Sequence, residues 1–342
     1  MKPLPLISTS PQIHVPHSTR KMMAWVLVSL VPAFAWGVYI FGFRALLVVG
    51  IAVISAVLTE GLLNIAFGRP NSLGDLSAIV TGVLIGFNMP AQISLFIPAV
   101  ASIFAIAVVK WSFGGLGANW MNPAMAGRVF VFYSWGAEMT HFTIPRTLIV
   151  DATSGATPLE TVKSNLLSLT MGGPPGELAG GPMELLEKSG FPGSYFDLWI
   201  GRMAGSLGEV SALLLILGAI ILTVKRILNW EIPLAYIGSF AFLIWLFDGI
   251  QYGNGAFGGD VLFHLLTGGL MLGALYMATD LVTTPLTKPG RIIFGLGCGL
   301  LTFVIRRFGS LAEGVSLAII FMNILVPLID RFVKPKRYGI QL

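Results

Sequence analysis

The sequence has few charged residues for its length, and this shortage decides the class of protein. Only 11% of its 342 residues are Asp, Glu, Lys or Arg, whereas 55% are hydrophobic. Soluble domains carry about 25% charged residues, which form the surface that faces water. A soluble globule of this size is therefore excluded, and the composition predicts an all-α protein that lies in a lipid bilayer.

The sequence also has almost no residues that bind metals or form disulfides. Its single cysteine, Cys298, cannot form an internal disulfide or hold an iron–sulfur cluster, and we expect it to be a small core residue. No group of His, Cys and acidic residues has the spacing of a metal site. No glycine-rich nucleotide loop follows a strand. Neither a metal ligand nor a catalytic residue is therefore predicted.

Long apolar runs dominate what is present. A spanning helix needs about 20 mainly apolar residues, and the chain has ten such segments. The first follows Arg20 and Lys21 and is too long for the apolar part of a signal peptide, so we expect it to remain as a membrane span. The predicted spans are 22–43, 45–67, 74–90, 92–110, 119–137, 204–224, 231–249, 260–280, 291–306 and 311–330.

The positive charges indicate how these spans are oriented. Lys and Arg lie at the ends of the apolar segments rather than in one patch, which argues against a nucleic-acid partner. If the N-terminus is cytoplasmic, thirteen of them lie on the inner side and seven on the outer side. This bias predicts that both termini are cytoplasmic. The predicted organisation is an inner segment 1–21, a first half 22–137, an outer loop 138–203, a second half 204–330 and an inner tail 331–342.

The outer loop leaves five predicted spans on each side, so the two halves would cross the membrane in opposite directions. The third span has Gly82 and Gly86 after Asp75, and the eighth has Gly269 and Gly273 in a similar position. The G-x-x-x-G pattern permits close approach of helices in lipid. These features predict two inverted five-helix repeats with a site between them. Chance recurrence of small residues is the alternative explanation.

The outer loop contains the sequence Asp151-Ala152-Thr153-Ser154-Gly155-Ala156-Thr157. Gly155 and Ala156 add little bulk beside the Thr157 hydroxyl, so an enzyme could grip this backbone and transfer a phosphoryl group to it. A simple turn is the alternative, because Ser and Gly are common in turns. In a membrane chain, however, this D-x-x-S-G-A-T pattern resembles the flavinylation site of the NqrB/RnfD family, which are membrane components of redox-driven ion pumps.

The resemblance implies that FMN is joined through its phosphate to Thr157, with Asp151, Ser154, Gly155 and Ala156 as the attachment motif. It implies a flavin transferase that acts outside the cytoplasmic (inner) membrane of a bacterium, and partner subunits that exchange electrons. It also allows a second, non-covalent flavin. The short N-terminal segment favours a member of an Rnf-type ferredoxin:NAD complex, coupled to Na⁺ or H⁺ transport, over the NqrB component of the Na⁺-translocating NADH:quinone reductase.

Polar side chains at membrane depth are further candidates, because an ionised group costs at least about 2.5 kcal/mol near a helix centre. Asn122 before Pro123 predicts a helix start with free N–H groups. Arg128 can donate to a flavin oxygen or pair with a carboxylate. These two residues are our candidate flavin contacts. The other ionisable residues in or beside predicted spans are Glu60, Glu209, Asp248, Asp260, His264 and Asp280.

These observations leave three hypotheses about function. The leading one is a flavinylated electron-transfer component of a larger complex, with no complete activity alone, because the chain has no second redox motif. The second is a cofactor-free channel or transporter, which the inverted halves and the buried charges would also fit. The third is a membrane anchor, which leaves the Thr157 motif and Arg128 unexplained.

Overall fold

The computed structural model describes residues 18–143, 145, 154–172, 180–189, 193–209, 211–311 and 313–334. In chain order the helices are α1 (Thr19–Phe41), α2 (Phe43–Ala66), α3 (Ser77–Phe87), α4 (Phe96–Phe104), α5 (Pro123–Ser134), α6 (Gly136–Met139), α7 (Pro158–Gly172), α8 (Pro182–Lys188), α9 (Tyr195–Ile200), α10 (Ala212–Val224), α11 (Glu231–Phe247), α12 (Val261–Leu266), α13 (Leu270–Leu272), α14 (Lys288–Phe308) and α15 (Val315–Phe332). Short 3₁₀ turns cover Leu73–Asp75 and Asp248–Tyr252, and π-helical stretches, Ala105–Trp111 and Gly273–Met277, extend α4 and α13.

Five helices in the described part of the chain are long and apolar enough to cross a membrane: α1, α2, α11 with the turn after it, α14 and α15. Only 28% of the apolar window in α2 and 39% of that in α15 is buried inside the protein. The remaining apolar faces are therefore available to lipid tails. This confirms the prediction of a helical, multi-pass membrane protein.

Several of the other predicted spans are short or broken helices. Helix α3 has 11 residues, which is about 16 Å at 1.5 Å per residue and is too short for a hydrocarbon core of about 30 Å. Helices α5 and α10 have 12 and 13 residues. The predicted span 260–280 breaks between α12 and α13, where Gly268 and Gly269 have φ values of 71° and 65°. This left-handed conformation suits glycine and ends a helix.

The segment 138–203, which was predicted to be an outer loop, contains three helices in its described part, α7, α8 and α9. A two-residue antiparallel strand pair, β1 (Phe142–Thr143) with β2 (Ser154–Gly155), is an addition to the predicted all-α fold. This pair places Gly155, from the attachment motif, opposite Phe142.

The segment 204–209 enters the protein between the two halves and meets the end of α3. The backbone N–H of Leu207 donates to the Met89 carbonyl at 3.1 Å, and that of Gly208 donates to the Phe87 carbonyl at 2.7 Å. Backbone groups at membrane depth need such partners because lipid provides none. The segment also brings the carboxylate of Glu209 into the interior, where it is 5% exposed.

Besides the two G-x-x-x-G patterns described above, the sequence has a third at Gly295 and Gly299, and close packing explains two of the three. A Cβ atom on Gly82 would lie 2.5 Å from the Val53 Cα, and one on Gly86 would lie 2.8 Å from the Val49 Cα. Helices α2 and α3 therefore touch backbone to backbone. A Cβ atom on either Gly295 or Gly299 of α14 would lie 2.7 Å from a carbonyl oxygen of α11, so these helices are also in close contact. In the remaining pattern, Gly269 precedes α13 rather than lying within a helix, so its resemblance to the Gly82 pattern is one of sequence only.

The packing of α2 against α3 gives a first prediction. Gly86→Ala is expected to destabilise the protein by about 1–3 kcal/mol, because the new methyl group overlaps Val49 and forces the helices apart. Thermal unfolding in detergent measures the effect. Gly50→Ala is the matched control, since a Cβ there meets nothing within 4 Å and alanine is the better helix former. Equal unfolding temperatures for the two variants would contradict the prediction.

Candidate functional site

Thr157 is the N-cap residue of α7. Its Oγ1 accepts a hydrogen bond from the Glu160 backbone N–H at 3.2 Å, and its carbonyl accepts one from the Thr161 N–H at 2.9 Å. Pro158 occupies the first helical position, where its missing N–H costs nothing. The Thr157 backbone N–H lies near the carboxyl of Glu160 and acts to lower the pKa of that group. Thr157 therefore caps α7, and its Oγ1 lies at the positive end of the α7 dipole.

Thr157 lines a cavity of about 180 Å³. The residue is 4% exposed, so it is shielded from bulk water. Glu160 and Arg128 line the same cavity. Three aromatic residues and two polar residues also line the cavity; the polar ones come from the second half of the chain: Phe132, Tyr133, Phe142, Glu313 and Ser316.

The other residues of the attachment motif lie next to this cavity or outside the described residues. Gly155 is paired with Phe142, which lines the cavity. Ala156 is exposed. The backbone of Ser154 forms the second strand residue opposite Thr143, and Asp151 lies outside the described residues. The structure therefore places the C-terminal end of the motif beside the cavity.

Arg128 joins the two halves of the protein. Its Nη2 donates to the Glu313 carboxylate and lies 3.6 Å from the Glu209 Oε1, while its Nη1 donates to the Ser316 hydroxyl. The side chain is 9% exposed. Its Nε–H has no hydrogen-bond partner among the described residues, although a buried donor is costly to leave unpaired. The arginine thus holds two carboxylates and still has one donor for a further acceptor.

Asn122 is distant from this cavity and lines a different one. It caps α5, accepting from the backbone N–H groups of Ala124 at 2.9 Å and Met125 at 3.3 Å. Its Nδ2 donates to the Met277 carbonyl at 3.1 Å, which ties α5 to the second half. The cavity beside it, about 90 Å³, is also lined by Asn119, Thr81 and Asp280. The structure therefore does not bring the two candidate flavin contacts together.

Lys163 binds α7 to the end of α14. Its Nζ donates to three backbone carbonyls, those of Arg306 at 3.0 Å, Gly309 at 2.6 Å and Leu311 at 2.7 Å. Burial, with a smaller effect of Arg306, lowers the pKa of Lys163. The contacts hold the helix that begins at Thr157 against the loop that leads to Glu313.

Arg306, near the end of α14, binds the chain between α12 and α13. Its guanidinium donates to the carbonyls of His264 at 2.8 Å, Thr267 at 3.1 Å, Gly268 at 2.9 Å and Glu313 at 3.0 Å. It therefore satisfies backbone groups at the break before α13. Together these side chains form what we call the outer charge cluster: Arg128, Glu160, Lys163, Glu209, Arg306 and Glu313.

The remaining ionisable residues at membrane depth have partners. The Lys110 Nζ lies 2.7 Å from the Glu60 Oε2 and donates to the Ser77 hydroxyl at 2.6 Å. The His264 Nε2 lies 3.1 Å from the Asp248 Oδ2. Cys298 is buried, as expected. Within the described part of the chain, no three His, Cys, Asp or Glu side chains form a group that could hold a metal ion.

Comparison with known proteins places this arrangement in a family. The model of the family described as NQR2, RnfD, RnfE matches residues 6–339. The chain belongs to the NQR2, RnfD, RnfE family. It is 41% identical over 338 residues to the D subunit of the Na⁺-translocating ferredoxin:NAD⁺ oxidoreductase complex of Acetobacterium woodii, covering 98% of this chain and 95% of that protein.

Two other relatives of this NQR2, RnfD, RnfE family member have related names. One is the D subunit of the proton-translocating ferredoxin:NAD⁺ oxidoreductase complex of Clostridium ljungdahlii, 40% identical over 97% of this chain and 96% of that protein. The other is the D subunit of the ion-translocating oxidoreductase complex of Stutzerimonas stutzeri, 37% identical over 94% of this chain and 92% of that protein.

Sequence reasoning missed several residues of the site in this family member. Glu160 could have been found, because Thr-Pro-Leu-Glu is a local capping signal. In the sequence, Lys163 and Arg306 were only counted among the positive charges of the predicted outer side. In the structure, Lys163 binds α7 to the end of α14, and Arg306 binds backbone carbonyls at the break before α13. No local sequence pattern indicates a role for Glu313, because its partner Arg128 is 185 residues away in the chain.

The contacts of Lys163 give a second prediction. Lys163→Met is expected to make α7 amides exchange about fivefold faster, a loss of about 1 kcal/mol. The expected loss of stability is smaller than three charged hydrogen bonds would give in a fully buried site, because the Lys163 side chain is only partly buried and water screens its charge. Hydrogen–deuterium exchange measures it. The control is Lys188→Met in the same loop, whose side chain is 56% exposed, and equal protection of α7 in both variants would contradict the prediction.

Proposed function

We propose that this protein is the D subunit of an Rnf-type complex that couples electron transfer between ferredoxin and NAD to ion transport. Relatives at 37–41% identity are named as D subunits of ion-translocating oxidoreductase complexes, two of them ferredoxin:NAD⁺ complexes, and match this chain along nearly their whole length. Their names include both a Na⁺-translocating and a proton-translocating complex. The proposal therefore covers either ion. Partner subunits would supply and remove the electrons, because the relatives are named as subunits of larger complexes.

We propose further that FMN is attached through its phosphate to the Thr157 Oγ1. The observation that carries this proposal is the position of that oxygen, at the N-terminus of α7 and in the same cavity as Arg128. Free N–H groups and the dipole of a helix N-terminus favour a phosphate. The unpaired Nε–H of Arg128 is a donor of the kind that a flavin or phosphate oxygen would satisfy. The residues present therefore fit the group.

The residues around the cavity would bind and shield the cofactor. Thr157 supplies the ester oxygen, Arg128 donates to an acceptor oxygen, and Phe132, Tyr133 and Phe142 exclude water from that side. When bound, the flavin supplies the redox chemistry, because it can accept two electrons and release them singly. A covalent tether also keeps it at one place.

The finer topology belongs to the same proposal. The charge bias and the short apolar helices α3, α5 and α10, of 11 to 13 residues, support three features. These are ten membrane segments in two inverted halves, both termini in the cytoplasm, and Thr157 outside the bacterial inner membrane. A flavin transferase outside the membrane would then modify Thr157. A second, non-covalent flavin belongs to the proposal only because the family resemblance allows it.

Expression with and without a flavin transferase tests this function. With the transferase, we expect a fluorescent band after denaturation and an FMN adduct on the peptide that contains Thr157. Without it, both should be absent. A colourless protein that carries no flavin under either condition, and that moves solute across vesicles, would instead favour the cofactor-free channel.

A further inference from the structure

Glu160 is an acidic residue in the first turn of α7, next to the proposed attachment oxygen. Its backbone N–H donates to the Thr157 Oγ1 at 3.2 Å. Both residues line the same cavity. A phosphodiester on Thr157 would therefore share one helix N-terminus with the Glu160 carboxylate, and the two negative charges would repel each other.

The charges that surround Glu160 are balanced before any cofactor is added. The outer charge cluster contains three cations and three carboxylates. The carboxylate that faces Glu160 is Glu313 on the segment before α15, and the cation of the same cavity is Arg128 on α5. Lys163 lies one turn along α7 but donates to carbonyls of the 306–311 loop. A phosphodiester leaves this partly buried site with one excess negative charge, and an electron on the flavin adds a second.

A proton on one carboxylate is the simplest compensation for such a charge. Glu209 and Glu313 both contact Arg128, so a proton on either of them would weaken a contact that joins the two halves of the protein. Glu160 has no ion pair within 4 Å among the described residues, and it is only half buried, so water can reach it. Burial and the neighbouring Glu313 also raise the pKa of Glu160.

We propose that Glu160 is a proton-binding group of the flavin site and takes up a proton when the flavin is reduced. The inference rests on the proposed function of Thr157. A one-electron donor, such as an iron–sulfur cluster of a partner subunit, provides one electron to the ring. One proton from water on the outer side then forms an O–H bond with the Glu160 carboxylate, which becomes a carboxylic acid. No bond in the protein breaks, and the net charge of the cavity stays constant.

The midpoint potential of the attached FMN tests this step. In the flavinylated wild-type protein, proton uptake at Glu160 should make the potential fall with rising pH by up to about 59 mV per pH unit for one proton and one electron. Glu160→Gln removes the negative charge and keeps an oxygen that can accept from the Thr157 N–H. Its potential should be higher than that of the wild type at alkaline pH, equal to it at acidic pH, and less dependent on pH. Glu187→Gln, an exposed change in α8, should match the wild type.

A redox-difference infrared spectrum of the wild-type protein gives a second readout that needs no variant. Reduction should produce the C=O band of a protonated carboxyl group, and Glu160→Gln should remove it. If flavin is found on Thr157 but the band is missing, or if Glu160→Gln keeps the wild-type pH profile, the inference is overturned and the proposed function stands. If Thr157 carries no flavin, the proposed function fails first.

Discussion

Thr157→Ala is expected to abolish covalent flavin completely, because the alanine side chain has no oxygen to form the phosphoester. The denatured protein should show no flavin fluorescence, and its 157-containing peptide should have its unmodified mass. The same change removes the cap of α7, since Oγ1 is the acceptor for the Glu160 N–H. Loss of an N-cap costs about 1 kcal/mol, so the protein should still fold and insert.

Thr157→Ser separates the two effects. Serine keeps a hydroxyl at the same position and is an equally good N-cap, so α7 should remain as stable as in the wild type. We expect this variant to accept FMN. Thr161→Ala, in the first turns of the same helix, should leave the label unchanged. Flavin retained in Thr157→Ala would show that another residue carries it, and the proposed attachment site would then be wrong.

Arg128→Ala should produce the largest loss of stability among the variants considered. The change leaves the carboxylates of Glu209 and Glu313 without their cation in the interior. Removing one partner of a buried ion pair costs about 3–5 kcal/mol, because the remaining charge stays desolvated. The unfolding temperature of the purified protein in detergent should fall accordingly. The contacts of α5 with the 204–209 segment and with α15 should weaken together, because Arg128 contacts both of them.

Arg202→Ala is the matched control for the loss of an arginine. Its guanidinium lies 3.6 Å from the Asp197 carboxylate, and the side chain is 44% exposed, so its loss should cost about 0–1 kcal/mol. In Arg128→Ala/Glu313→Gln, one of the uncompensated carboxylates is gone, so part of the stability should return. An Arg128→Ala protein as stable as Arg202→Ala would contradict the assignment of Arg128 as the tie between the halves.

Features with a local cause could be predicted well from the sequence. Low charge and long apolar runs require a bilayer, and the structure has five helices suited to crossing one. The Asn122-Pro123 pair was expected to start a helix, and it caps α5. The glycines Gly82 and Gly86 were expected to permit close approach, and α2 and α3 touch there. Each of these depends on residues within a few positions of one another.

Features that depend on distant residues could not be predicted. The length of a span was overestimated where an apolar run contained a helix break, as at Gly268 and Gly269, because composition does not record where a helix ends inside the protein. Two alternatives for Arg128 stayed open, since its carboxylate partners lie 81 and 185 positions along the chain. Asn122 and Arg128 were grouped as flavin contacts, but they line separate cavities.

The sequence by itself determined that this is a helical membrane protein, and it predicts a flavin attachment motif that ends at Thr157. The length of an apolar run and the residues of a short motif are local properties of the sequence, so they can be recognised without the structure. Only the tertiary structure decided that Thr157 caps a helix beside Arg128, Glu160 and Glu313. That arrangement depends on how four separate segments pack, and packing is set by contacts across the whole chain.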